Sequence, residues 1–152
     1  MLKQRIDQDL KQALLGGDKV LATTLRGLKS VILYAEVAKG VREQGLPDDE
    51  IMPLLAKEAK KRQESAELYI KGGNQERADA ELAEKHVIEQ YLPQQLSDED
   101  LSVVVDRVIE GLGVSEQTNM GEVIKAVKQE VGEQADGSRI AMIVKERLNT
   151  TR

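Results

Sequence analysis

The sequence feature that most constrains the fold is a break at Pro93, which separates two long helical stretches. Proline has no backbone N–H, and its ring crowds the carbonyl four residues earlier, so a helix that leads up to Leu92 should end there. Ser97 should then start a new helix, because its hydroxyl can accept the backbone N–H of Asp100 in a capping box. The pattern predicts an N-terminal subdomain, a hinge and a C-terminal subdomain, at residues 1–92, 93–96 and 97–152.

The composition favours helices over strands. Hydrophobic residues make up 40% of the 152 residues, yet the chain has no Phe, Trp or Cys, so Leu, Ile, Val, Ala and Met must fill the core. Only three prolines interrupt the chain, and no alternating strand pattern competes with the helical spacing of the apolar residues.

Polar caps and glycines divide the first half into four amphipathic helices. Asp18 and Asn74 are predicted to cap the second and fourth helices. The third helix has two possible starts, because Pro53 fits either the first turn of a helix that begins near Met52 or a bend in one that begins at Asp48. Glycines end the first three helices: Gly16-Gly17, Gly40 and Gly72-Gly73.

Three further amphipathic helices follow the break. Thr118 or Asn119 caps the sixth helix, and Asp136 or Ser138 caps the seventh. Short connections between successive helices predict antiparallel neighbours. The expected fold class is therefore all-α, with a four-helix N-terminal bundle and a three-helix C-terminal bundle. The fifth helix carries its apolar residues at helical spacing: Leu101, Val105, Val108, Ile109 and Leu112.

Few side chains in the sequence could carry chemistry. Without cysteine there is no thiolate, and the only histidine, His86, is expected to be a partly exposed helical residue rather than a general base. The acidic runs at Asp48 and Asp98 stand at helix starts, where the helix dipole explains them. Neither metal-ligand spacing nor a phosphate-binding glycine loop is present. We therefore predict no catalytic residue, no metal and no cofactor, and no small-molecule substrate is evident.

Charge and hydropathy limit the location and the partners. No secretory signal and no stretch near the ~18 apolar residues of a membrane span is present, so a soluble cytoplasmic protein is expected. The net charge is −5, with 15 basic against 16 acidic residues in positions 1–96 and 7 against 11 in positions 97–152. Neither half has the basic excess that is typical of non-specific nucleic-acid binding.

The densest basic run lies on the third helix. Lys57, Lys60 and Lys61 share one helical stripe there, where they could contact phosphate groups. The sequence favours a solvated face instead, because acidic residues stand four positions away, as Glu64 does from Lys60, and no aromatic residue is interleaved to stack on bases.

Five short segments form a pattern when they are taken together: Thr24-Leu25-Arg26, Lys61-Arg62-Gln63-Glu64-Ser65, Tyr91-Leu92-Pro93-Gln94-Gln95-Leu96, Met120-Gly121-Glu122-Val123-Ile124 and Ala135-Asp136-Gly137-Ser138. In this order and spacing they resemble the YqeY family over nearly the whole chain. The resemblance implies an all-helical fold of a four-helix and a three-helix bundle. The C-terminal part of that family is similar to the tail domain of GatB, a subunit of the tRNA-dependent amidotransferase.

The resemblance implies a function connected with tRNA. The GatB tail is associated with tRNA, and membership of the family carries a label of carbon–nitrogen ligase activity with glutamine as the nitrogen donor. In the amidotransferase, however, the glutamine-hydrolysing and ATP-using chemistry lies outside the tail. The resemblance therefore favours a non-catalytic module that binds tRNA or a tRNA-processing or aminoacylation enzyme. A helical protein–protein adaptor and an amidotransferase component remain as alternatives.

The three-helix unit is the expected contact to tRNA, and several of its residues are candidate contacts to phosphates. Gly121 lies in the first turn of the sixth helix, where the N–H groups could hold a phosphate or the small residue could instead allow a tight helix contact. Gly137 is expected to be a loop or first-turn residue. The family commonly has a basic residue before Ala135-Asp136-Gly137, but Gln134 stands here, which lowers the expected affinity for tRNA. The remaining cations are Lys125, Lys128, Arg139, Lys145 and Arg147.

Arg26 is expected to have a structural role. It lies on or beside the apolar face of the second helix, so we predict that it is partly buried against a carboxylate, with Glu84 as the preferred partner.

Overall fold

The computed structural model describes residues 1–113 and 120–151, the last two of them by backbone alone. Within these residues it contains seven α-helices, one 3₁₀ turn and no strand, which confirms the all-α fold class. The chain divides into two compact units, Met1–Leu92 and Pro93–Arg152, called the first and second unit below. None of the described helices combines the length and the apolar character that a membrane crossing needs.

Four helices lie in the first unit and three in the second. The first unit contains α1 (Leu2–Gly16), α2 (Lys19–Lys39), α3 (Asp48–Lys71) and α4 (Gln75–Glu89). The second unit contains α5 (Asp98–Leu112), α6 (Met120–Val131) and α7 (Gly137–Thr151), with a 3₁₀ turn at Gly132–Gln134.

The predicted caps form where the sequence places them. The Asp18 carboxylate accepts the N–H of Leu21 at 3.1 Å, and the Asn74 side chain accepts the N–H of Arg77 at 3.1 Å. Each bond satisfies one of the N–H groups that a helix start leaves without a partner. Thr118 and Asn119, the two candidate caps of the sixth helix, lie outside the described residues.

Caps also define the helices of the second unit. The Ser97 hydroxyl accepts the N–H of Asp100 at 3.1 Å, as predicted for the start of α5. Of the two candidates at α7, it is Asp136 that caps the helix, because its carboxylate accepts the N–H of Arg139 at 2.9 Å.

The structure decides between the two starts of the third helix. α3 begins at Asp48 and continues through Pro53, which lies in its second turn. The N–H of Ile51 bonds to the carbonyl of Pro47 at 3.1 Å, so the first turn is closed before Pro53 removes one later hydrogen bond. Three acidic residues in that first turn favour this start through the helix dipole.

The segment around Pro93 differs from the expectation in two respects. α4 ends at Glu89, before Leu92, and a turn follows in which the N–H of Tyr91 bonds to the carbonyl of Ile88 at 3.1 Å. Residues 94–96 of the expected hinge are hydrogen-bonded within the second unit. The N–H of Leu96 bonds to the Gln134 carbonyl at 2.8 Å, and the Gln95 amide bonds to the Glu133 carbonyl at 2.8 Å.

Each unit has its own hydrophobic core, and the two cores share no residue. The core of the first unit includes Ile6, Leu25, Leu28, Ile51, Leu55 and Ile88. The core of the second unit includes Leu101, Val105, Val123, Val127, Ile140 and Val144.

Candidate functional site

Lys128, one of the predicted phosphate contacts, is already hydrogen-bonded within the protein. Its ammonium donates to the carbonyl oxygens of Gly132 at 2.8 Å and Ala135 at 3.1 Å. Gly132 directly follows α6, where helix carbonyls lack partners and a cation also meets the negative end of the dipole, and Ala135 directly follows the 3₁₀ turn. Lys128 therefore stabilises the α6–α7 connection, and binding a phosphate would require it to release these bonds.

Arg139 is also hydrogen-bonded within the protein. Its guanidinium donates to the carbonyl oxygen of Leu96 at 2.7 Å and to the carboxylate of Asp98 at 2.8 Å. These contacts attach the segment before α5 to the first turn of α7. Arg147 is the third predicted phosphate contact that has a partner within the protein. Its guanidinium lies 3.5 Å from the carboxylate of Asp106 on α5.

The engagement of Arg139 predicts a stability effect. We expect Arg139→Met to lower the free energy of unfolding of the second unit by about 1–2 kcal/mol, because it removes hydrogen bonds from a charged donor. Lys125→Met is the matched control, since Lys125 is exposed on α6 and should change stability by less than about 0.5 kcal/mol. Urea unfolding followed by circular dichroism measures both. Equal stabilities of the two variants would show that the Arg139 contacts are not stabilising.

The other predicted contacts of the second unit remain accessible. Lys125 and Lys145 are both exposed. Gly121 is exposed in the first turn of α6, and Gly137 is the first residue of α7, where an added side chain would meet nothing within 4 Å. Of the five predicted cations of the second unit, Lys125 and Lys145 thus form no ion pair within residues 1–113 and 120–151.

The predicted lysines of α3 form an exposed face, called the lysine face below and made of Lys57, Lys60 and Lys61. Lys61 lies 3.3 Å from the carboxylate of Glu58, a residue that is only 8% exposed. Among the described residues no ion pair involves Lys57 or Lys60. The lysine face therefore retains at least two ammonium groups that are available to a ligand.

The next residue, Arg62, points into the α3–α4 interface instead. Its guanidinium lies 2.9 Å from Glu84 and 3.8 Å from Glu81, both on α4, and 3.6 Å from Glu58. This pairing corrects the predicted contact between Arg26 and Glu84. The partner of Glu84 is Arg62, and Arg26 is exposed.

The position of Arg26 explains the error. It follows Leu25, which is fully buried, and one residue step on a helix turns the next side chain by about 100°. Arg26 consequently lies at the edge of a groove of about 510 Å³ between α1 and α2, together with Ile6 and Leu10. A guanidinium that is exposed to water needs no carboxylate partner.

A buried carboxylate that the sequence prediction missed lies at Glu36 on α2. Its two oxygens accept hydrogen bonds from the Lys3 ammonium at 2.9 and 3.0 Å, and one also accepts the N–H of Leu46 at 2.9 Å. The hydrogen bond from Lys3 lowers the pKa of Glu36, against the opposing effect of burial. The sequence did contain a signal, because Glu36 continues the apolar stripe of Leu28 and Ile32 at intervals of four residues.

A second polar anchor joins α1 to the turn after α4. The Tyr91 hydroxyl donates a hydrogen bond to the Asp9 carboxylate, and the Arg5 guanidinium lies 5.0 Å from the centre of the Tyr91 ring. Burial raises the pKa of Tyr91 well above its ordinary value. The phenol is thus held in its neutral form, as a hydrogen-bond donor with a packing role.

The two carboxyls with lowered pKa values, Asp48 and Glu36, both accept hydrogen bonds from donors of the fold. Asp48 has a lowered pKa because its carboxylate accepts the backbone N–H of Leu2 at 3.0 Å. A lowered pKa makes a carboxylate a weaker base, so Asp48 and Glu36 are suited to holding donors rather than to removing protons. In residues 1–113 and 120–151 no cluster of three or more His, Cys, Asp or Glu could hold a metal ion. His86 is exposed on α4.

The family model described as Yqey-like protein matches residues 3–148. No individual curated protein matches the chain. Because the matched residues cover nearly the whole sequence, the chain belongs to the YqeY-like family.

Proposed function

We propose that this protein is a non-catalytic accessory protein of tRNA metabolism, which binds tRNA through lysines that the fold leaves exposed. The observation that carries the proposal is the lysine face of α3. Lys57 and Lys60 lie on it without ion pairs among the described residues, and Lys61 is exposed beside them. The resemblance of the second half to the GatB tail supports tRNA as the nucleic acid.

The physical basis is the release of counterions from phosphate groups. Each lysine that contacts a phosphate adds to affinity without reading the base, and each such contact makes binding more sensitive to salt. The lysine face has no aromatic residue on which bases could stack. We therefore expect weak binding that depends on the shape and charge of the RNA backbone and that is strongest at low salt.

The proposal assigns the main contact to the first unit rather than to the three-helix unit. In the second unit Lys128, Arg139 and Arg147 contact protein oxygens, which leaves Lys125 and Lys145 as secondary contacts. Positions 97–152 also carry an excess of four acidic residues, 11 against 7 basic ones. Both features weaken phosphate binding by that unit.

The test compares two triple variants in tRNA binding. We expect Lys57→Gln, Lys60→Gln and Lys61→Gln together to raise the dissociation constant at least about tenfold at ~50 mM salt, and to reduce the salt slope by about one per lysine. Fluorescence anisotropy with labelled tRNA measures both quantities. The matched control replaces three exposed lysines outside this face: Lys11, Lys19 and Lys71.

Two results would contradict the proposal. One is the absence of tRNA binding by the unmodified chain at ~50 mM salt, where phosphate contacts are strongest. The other is an equal loss in the control variant, which would show only a dependence on net charge.

The proposal assigns no bond-making step to this chain. The label of glutamine-dependent carbon–nitrogen ligase would require groups that activate glutamine or a carboxyl, whereas the shifted carboxyls Glu36 and Asp48 hold structural donors. Release of ammonia from glutamine by the purified protein, abolished by changing one of its own residues, would overturn this part of the proposal.

A further inference from the structure

An apolar groove runs along the surface of the second unit between α5 and α7, with a volume of about 590 Å³. Val103 and Met142 lie in it, and each is 66% exposed, while Ile143 beneath them belongs to the buried core. Exposed aliphatic side chains that converge in one groove are typical of interaction sites. We call this surface the α5–α7 groove.

Two ion pairs join α5 and α7 along the α5–α7 groove. Asp98 pairs with Arg139 at 2.8 Å, and Asp106 pairs with Arg147 at 3.5 Å. The partners are 41 residues apart in both pairs, so α5 and α7 run parallel to each other. The two pairs are separated by eight residues along each helix, which corresponds to about 12 Å at ~1.5 Å per residue. The groove between them therefore has the length of about two helical turns.

The rim of the α5–α7 groove is acidic. Its lining contains four carboxylate side chains and two guanidinium groups, a formal charge of −2. Both guanidinium groups are already paired with carboxylates of the same rim. The carboxylates are Asp98, Glu99, Asp106 and Glu146.

We propose that the α5–α7 groove binds a short, basic amphipathic helix of a partner protein. An apolar side chain of that helix would pack between Val103 and Met142, and its Lys or Arg residues would face the acidic rim. Methionine suits such a contact because its flexible, polarisable side chain adapts to different shapes. A helix that lies with its apolar face in a groove is a common mode of peptide recognition. Charge complementarity selects the basic peptide and disfavours RNA, whose phosphates the carboxylates repel.

The inference concerns a different surface from the lysine face and does not depend on tRNA binding. The first probe is a peptide of leucine and lysine, about 15 residues long so that a helix can form. The second probe has the same sequence with glutamate in place of lysine. Both are titrated into the full chain, and binding is followed by amide chemical shifts and by anisotropy. We expect the basic peptide to shift the amides of the groove, those of Ser102, Val103 and Met142 among them, and the acidic peptide to have no effect.

Groove variants test the location. We expect Val103→Ser and Met142→Ser each to weaken the basic peptide about tenfold, the loss typical of one buried apolar contact. Both side chains are largely exposed, so the fold should be retained. Leu68→Ser is the matched apolar control, because Leu68 is 68% exposed on α3.

Glu99→Lys should weaken binding, whereas Glu110→Lys, on α5 outside the groove, should weaken it less.

Four outcomes would overturn the inference. Equal affinity in the groove variants and in Leu68→Ser would show that the peptide binds elsewhere. Equal binding of the acidic peptide would show that charge does not select the occupant of the groove. Shifts of the groove amides on titration with tRNA in the absence of peptide would make the groove a nucleic-acid site. Self-association of the unmodified chain that Met142→Ser abolishes would identify the occupant as a second copy.

Discussion

Glu36→Ala is expected to lower the free energy of unfolding of the first unit by about 3 kcal/mol. The substitution removes the acceptor of three hydrogen bonds, two from the Lys3 ammonium and one from the N–H of Leu46. The cost is highest at Leu46, because its N–H is buried and would be left without an acceptor. Lys3 is partly exposed, so water can replace some of what it loses.

Two variants sharpen this test. Glu36→Gln keeps an oxygen for the Leu46 N–H but removes the charge that pairs with Lys3, so we expect a smaller loss of about 1–2 kcal/mol. Glu43→Ala removes an exposed carboxylate from the loop after α2 and should change stability by less than about 0.5 kcal/mol. Urea unfolding at neutral pH measures all three. Equal losses for Glu36→Ala and Glu43→Ala would show that the buried carboxylate does not organise the first unit.

The same carboxylate predicts a dependence of stability on pH. The hydrogen bond from Lys3 lowers the pKa of Glu36 below its ordinary value of 4.5. Well above pH 4.5 the group is ionised in both the folded and the unfolded chain, so its full contribution is present. The contribution is lost as the pH falls from 4.5 through the lower pKa of the folded state. Unfolding of the Glu36→Gln variant should depend less steeply on pH in this window, with Asp48 still contributing.

The helices could be predicted because their signals are local. A cap such as Asp18 bonds to an N–H three residues away, and the glycine after α2, Gly40, takes the positive φ of 71° that ends a helix and that side chains disfavour. From the sequence alone, the start of α3 could only be narrowed to two positions, Asp48 and the neighbourhood of Met52. Pro53 is compatible with both, and the first turn that decides between them depends on the hydrogen bond from Ile51 to Pro47.

The polar contacts of the site were harder to predict because their partners lie far apart in the sequence. The hydrogen-bonded residues Glu36 and Lys3 are 33 positions apart in the sequence, and Arg139 and Leu96 are 43 positions apart. Because Arg26 lies beside an apolar face, the sequence predicts that it pairs with Glu84. Arg62, on the helix that packs against α4, reaches it, and Arg26 does not. In the sequence the lysines and arginines looked equivalent as phosphate contacts. Only their distances to carbonyl and carboxylate oxygens in the structure distinguish those that are bound within the protein from those that are not.

Ile140→Ala is expected to lower the free energy of unfolding of the second unit by about 3 kcal/mol and to leave the first unit unchanged. Ile140 is fully buried in the core of the second unit, so the substitution removes apolar contacts and leaves a cavity. We propose that the two units unfold independently, because the cores share no residue. Amide hydrogen exchange should therefore show faster exchange in α5, α6 and α7, with unchanged protection in α1 to α4.

The reciprocal variant makes the prediction decisive. Ile51→Ala removes an equally buried side chain from the core of the first unit, and it should accelerate exchange in α1 to α4 alone. If either variant lowers the protection of both units to the same extent, the chain unfolds as one cooperative body. Independent unfolding would carry a functional consequence. The lysine face belongs to the first unit and the α5–α7 groove to the second, so a variant that opens one unit should abolish one binding activity and spare the other.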